Sequence, residues 1–154
     1  MPLDQAFIGR EYPPTPPYEV GREKIREFAD AVHDDSEVCR DTDAAKAAGH
    51  PDVIAPPTFA VILSMGAHDA LVGDPELGLD YSRVVHGQQE FVHHRPIRAG
   101  DRLVTVVHVD DIMARAGNDF LTVRAEVGSV DGERVCTATS LLVARGTAEE
   151  GDQA

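Results

Sequence analysis

The chain has no tryptophan, and aromatic residues make up only 5% of its 154 positions, so any core must be built mainly from aliphatic side chains. It has just two cysteines, Cys39 and Cys136, too few for the disulfide framework that holds small secreted domains together. Positive charge is scarce: 14 Lys and Arg against 27 Asp and Glu leave a formal net charge of −13. A chain of that sign repels phosphate backbones and anionic headgroups, which argues against nucleic-acid and membrane partners. Long apolar runs are also missing. The longest, Ile54 to Leu63, is broken by Pro56 and Pro57 and falls far short of the ~20 residues that span a bilayer. The opening MPLDQAFIGREYPPTPP lacks the basic and apolar regions of a secretory leader, so the expected setting is the cytoplasm, with reduced thiols.

Several chemistries lose their usual motifs. No Gly-rich phosphate loop and no Gly-x-Ser-x-Gly elbow occurs, so no nucleotide cofactor and no elbow nucleophile is expected. Seven histidines invite a metal, but no Cys-x-x-Cys or His-x-x-x-His pattern is present. His93 and His94 are adjacent in an expected strand and should face opposite sides, while His86 and His94 lie roughly 26 Å apart along it. No cofactor and no metal is therefore expected.

What is present reads as one domain. Residues 1–17 carry Pro13, Pro14, Pro16 and Pro17 and should run extended over the surface as an arm. Residues 18–145 should form the domain, and 146–154 a flexible acidic tail. Ile25, Phe28, Ala29 and Val32 recur at helical spacing and predict an amphipathic helix after Gly21. A short second helix is expected over 43–48, stopped by Gly49. Pro57 suits the first turn of a third, running to Val72 with apolar residues around most of its circumference, so it should be buried and Gly66 in it should resist enlargement. The period then changes to two, predicting four strands near 83–94, 102–114, 120–130 and 134–144, joined as an antiparallel meander by connectors of hairpin length, with a short edge strand at 18–20. A buried helix followed by such strands implies an α+β architecture, a curved sheet wrapped around the helix.

Three segments, VGREKIREFADAVHDD at 20–35, RDTDAAKAAGHPDVIAPPTF at 40–59 and HGQQEFVHHRPIRAGDRL at 86–103, resemble the MaoC-like dehydratases. They are more narrowly similar to the FAS1-like dehydratase N-terminal type, small subunits that partner a catalytic chain in actinobacterial (3R)-hydroxyacyl-carrier-protein dehydratases. The resemblance implies a hot-dog fold over about 18–145, and subunits joined edge to edge. Competent relatives carry Gly-Asp-x-Asn-Pro-x-His, whose Asp and His share the attacking or leaving water. Laid on this chain, the acid falls on Asp34 and the histidine on Cys39. An ordinary thiol, with pKa about 8.5, is a poor replacement for an imidazole base, and a neighbouring carboxylate keeps it protonated. The relatives also keep His-Gly at the start of the buried helix, where a backbone N–H polarises the thioester carbonyl; that pair falls on Pro56-Pro57, and proline has no N–H.

The resemblance thus implies a non-catalytic, acyl-chain-binding and stabilising subunit of a heteromeric dehydratase or hydratase in fatty-acid metabolism. Its substrate would be an acyl-carrier protein or coenzyme A thioester, and its partner a second MaoC-like catalytic subunit. The alternatives are a self-sufficient homodimeric enoyl-thioester hydratase or acyl thioesterase using Asp34, and an acyl-thioester binding module outside fatty-acid synthesis. The catalytic positions are the degenerate Asp34 and Cys39; the candidate substrate contacts are Pro57, Phe59, Ile62, Leu63 and His86. For each a structural role competes: Asp34 as a solvated helix end, Cys39 as a small buried hydrophobe, His86 as a satisfied strand histidine, and the helix residues as core.

Overall fold

The computed structural model describes residues 2–148; the tail beyond, where flexibility was expected, lies outside the described residues. Five antiparallel strands, β1 (Tyr18–Glu19), β2 (Val84–His93), β3 (Arg102–Arg115), β4 (Asn118–Ser129) and β5 (Arg134–Ala144), form one sheet in the order β1-β3-β4-β5-β2. Helices α1 (Arg22–Ala31) and α2 (Thr42–Ala47) precede the long α3 (Ala60–Val72). The sheet curls about α3, giving the α+β hot-dog architecture. Alternating burial along β4 and β5 turns one face to the helix and the other outward, as strands half-buried on one face require.

One expected connection differs. β2 pairs with β5, not with the next strand β3, so the connector through Arg98 to Asp101 is a crossover from the β2 edge to the far side of the sheet and not a hairpin turn. Arg95 clasps it, donating to both carboxylate oxygens of Asp101 at 2.9 Å and to Glu133 at 2.9 Å. Bidentate arginine pairing of this kind fixes orientation as well as contributing energy. Where β2 bulges at Gly87, a Cβ would lie 3.3 Å from Val143 Cγ2, so the close approach there favours glycine.

The N-terminal segment is more than a surface arm. Its backbone bonds to the β3 edge, Gly9 N–H to Val109 C=O at 2.8 Å and Tyr12 N–H to Val107 C=O at 2.9 Å. Leu3 and Tyr12 enter the core beneath. The Tyr12 hydroxyl donates to Asp74 at 2.8 Å, and Arg10 pairs with the same carboxylate. Apolar side chains spaced among the prolines make this docking favourable despite the lost donors.

α3 is buried on one side, through Ala60, Leu63, Ala67, His68 and Leu71, while Gly66, Asp69 and Ala70 are exposed. A Cβ on Gly66 would meet nothing within 4 Å, so the expected resistance to enlargement does not hold in this chain: the residue points away from the sheet. Val32 likewise sits outside the core at 44% exposure, because α1 ends at Ala31 before it.

Candidate functional site

Three stretches distant in sequence enclose a cavity of about 530 Å³. The first wall begins where α1 stops. His33 takes a left-handed φ of +58°, its N–H donating to Asp30 C=O while Asp34 N–H donates to Ala29 C=O at 2.8 Å. This reciprocal pair closes the helix C-terminus and delivers Asp34, Ser36, Val38 and Cys39 to the cavity. The floor is the segment 54–57, stitched to both walls by Ile54 N–H to Val38 C=O at 3.0 Å and Ala55 N–H to Ile97 C=O at 2.7 Å. The far wall is the end of β2 and the start of the crossover, residues 93–97.

Cys39 is 3% exposed, and burial, followed by the Asp34 carboxylate, pushes its thiol pKa up. It is therefore held protonated at neutral pH. Asp34 is half-buried, with Oδ1 accepting from Ser36 N–H at 3.0 Å and its backbone carbonyl accepting from Arg40. Pro57 lies in the cavity lining and offers a carbonyl but no N–H.

The far wall carries side chains whose role the residue pattern did not single out. His93 Nε2 lies 2.7 Å from the Pro57 carbonyl oxygen. That oxygen can only accept, so Nε2 carries the hydrogen. His94 Nε2 is 3.2 Å from Thr137 Oγ1, which itself lies 2.8 Å from Glu126 Oε2. The threonine proton goes to the carboxylate, so His94 too donates from Nε2. The two histidines were expected on opposite faces; both line the cavity because β2 ends at His93 and its alternation stops there. The readable signal was the run His93-His94-Arg95 placed just before Pro96.

Of the sequence-predicted residues, Asp34, Cys39 and Pro57 meet in this cavity; Phe59, Ile62, Leu63 and His86 are not in its lining. Phe59 is fully buried, packed edge-to-face on Phe28 with ring centroids 5.4 Å apart. Leu63 belongs to the same core cluster and Ile62 packs against it, half-buried. His86 is exposed on β2, opposite Leu142. Among the described residues no group of three or more His, Cys, Asp or Glu side chains is arranged to hold a metal ion, and no helix is long and apolar enough to cross a membrane.

Residues 6–138 match the FAS1-like, dehydratase domain region. A UPF0336 protein of Saccharopolyspora erythraea is 80% identical over 156 residues, covering the whole of both chains. Among solved structures, a MaoC-like dehydratase superposes with a TM-score of 0.84 at 36% identity over 91% of this chain, which spans 42% of that longer one. The C-terminally truncated HadBC (3R-hydroxyacyl-ACP dehydratase) complex from Mycobacterium tuberculosis gives a TM-score of 0.79 at 32% identity, over 89% of this chain and 96% of that one.

Proposed function

The chain belongs to the FAS1-like dehydratase family, and we propose that it is the acyl-chain-binding, non-catalytic subunit of a heteromeric (3R)-hydroxyacyl-thioester dehydratase. One observation carries this reading. The cavity is intact, but a protonated, buried Cys39 thiol stands where the family places its histidine, and Pro57, without an N–H, stands where the family places its carbonyl-polarising donor. Elimination of water from a 3-hydroxyacyl thioester needs both a proton acceptor at C2 and stabilisation of the developing oxyanion. Lacking both, the cavity suits holding a hydroxyacyl chain rather than dehydrating it.

The HadBC neighbour is a complex of hydroxyacyl-ACP dehydratase subunits, which supports a second MaoC-like chain as partner. The thioester would come on an acyl-carrier protein or coenzyme A. In this reading Asp34, Cys39 and Pro57 border the bound chain, Phe59, Ile62 and Leu63 form the layer beneath it, and His86 stands on the exposed edge strand where a partner would join.

The test is co-expression with a neighbouring MaoC-like chain that keeps the Asp/His motif, followed by enoyl-thioester hydration assays on each chain alone and on the pair. Background hydration by this chain alone and increased, more stable activity in the pair are expected. Robust hydration by the partner-free protein, abolished in Asp34→Asn, overturns the proposal in favour of a self-sufficient hydratase. Within the same assay Cys39→His alone should stay at background, because a missing oxyanion donor costs on the order of 10²–10³ in rate. Cys39→His combined with Pro56→His and Pro57→Gly should rise above it.

A further inference from the structure

The far wall of the cavity is short of side-chain donors that are not already in use. The Nε2–H groups of His93 and His94 are spent on Pro57 and Thr137. Arg95, also in the lining, is spent on Asp101, Glu133 and the Pro96 carbonyl. With Nε2 of each ring already engaged, what remains to His93 and His94 is Nδ1, an acceptor in the Nε2–H tautomer, and among the described residues neither Nδ1 is paired within hydrogen-bonding distance. Asp34, across the cavity, adds a carboxylate. The near wall adds the Ser36 hydroxyl and the Cys39 thiol, and most of the remaining lining, Val38, Ile54, Pro56 and Ile97, is apolar, so it is on the far wall that a ligand meets acceptors. A carboxylate or phosphate placed there would be repelled; a neutral group bringing its own hydrogen would be held.

We propose that His93 and His94 make this cavity selective for the hydroxyl of a 3-hydroxyacyl chain over the same chain saturated or unsaturated at C3. The inference rests on the acyl-binding reading above and deepens it: the chain would retain the substrate and let go of the enoyl product, which has no hydroxyl to donate. The two imidazoles act as specificity residues, their tautomers set by Pro57 on one side and by the Thr137–Glu126 relay on the other.

The experiment compares binding of (3R)-hydroxyoctanoyl-, octanoyl- and trans-2-octenoyl-coenzyme A to the full chain by calorimetry. All three carry the same pantetheine amides and phosphates, so their difference isolates the C3 substituent. One added hydrogen bond predicts a preference of up to about tenfold for the hydroxyacyl thioester. His93→Phe combined with His94→Phe should abolish the preference while saturated-chain affinity persists. His93→Gln should retain its share, because an amide can donate to Pro57 and still accept. Equal affinity for all three in the unaltered protein, or a preference that survives the double substitution, overturns the selectivity and leaves the acyl-binding reading standing. Failure of every thioester to bind overturns both. Nitrogen-15 imidazole spectra of the unaltered protein give a readout independent of variant folding: Nε2–H tautomers are expected at both histidines, and an Nδ1–H tautomer at both would overturn the proposal.

Discussion

At the N-terminal end of α3 two exposed histidines stand beside a cavity, each with one ring nitrogen hydrogen-bonded to a fixed acceptor. Further along the same helix His68 is 2% exposed, and among the described residues neither of its ring nitrogens has a hydrogen-bond partner. Burial, followed by the nearby His86, depresses the His68 pKa to about 4, against an opposing pull from Asp69. The first region is polar, partnered and accessible, which is what ligand recognition needs. The second is sealed and costs stability whenever its imidazole is asked to carry charge. The core divides correspondingly: Phe59, Ala60 and Leu63 pack into the cluster under the cavity, Ala67 and Leu71 into the cluster under the N-terminal segment.

Substitution of Phe59 should show which half anchors the helix. Phe59→Ala removes a fully buried ring in contact with Phe28 and should destabilise the chain by about 3–5 kcal/mol in denaturant unfolding. If it unfolds no more readily than a surface variant, the cavity-side cluster is not what holds α3.

The second prediction concerns pH. His68 has a folded pKa of about 4 against about 6.5 when unfolded, so between these values the unfolded chain binds more protons. Its neutral, buried state is fully favourable above about pH 6.5, and stability falls as pH drops from there toward 4, by about 3 kcal/mol from this group. His68→Met should flatten that part of a stability-against-pH profile measured by urea melts. An unchanged slope would mean that His68 is partnered after all, and the contrast between the two halves would collapse.

The smallest effect tests the outer side of the helix. Gly66 is exposed with open space where a Cβ would go, so Gly66→Ala should raise stability of the isolated chain by up to about 1 kcal/mol through helix propensity. A loss on thermal melting would show that this side is covered.

Much of the fold was legible because periodicity reports burial directly. The switch from helical spacing over 25–32 and 57–72 to alternation after 83 located α1, α3 and the long strands. The site was legible in part. Asp34, Cys39 and Pro57 could be placed by family pattern, but His93 and His94 could not, since whether adjacent strand residues diverge depends on where the strand ends. His68 gave no signal at all, because a histidine in an apolar run reads alike whether its nitrogens find partners or not.

By itself the sequence determined an α+β pattern, a helix to be enclosed and strands to enclose it, with a thiol at Cys39 and two residues without an N–H at Pro56 and Pro57. These are properties of residue type and local spacing. Tertiary structure alone decided that β2 lies beside β5, that the N-terminal segment closes the β3 edge, and that only one side of α3 is covered. It also decided that two histidines from the end of β2 face a cysteine from the turn after α1 across one cavity. The physical reason is that strand order and cavity walls are settled by contacts between residues far apart in the chain, whose free energy comes from joint burial and shared hydrogen bonds that no local pattern encodes.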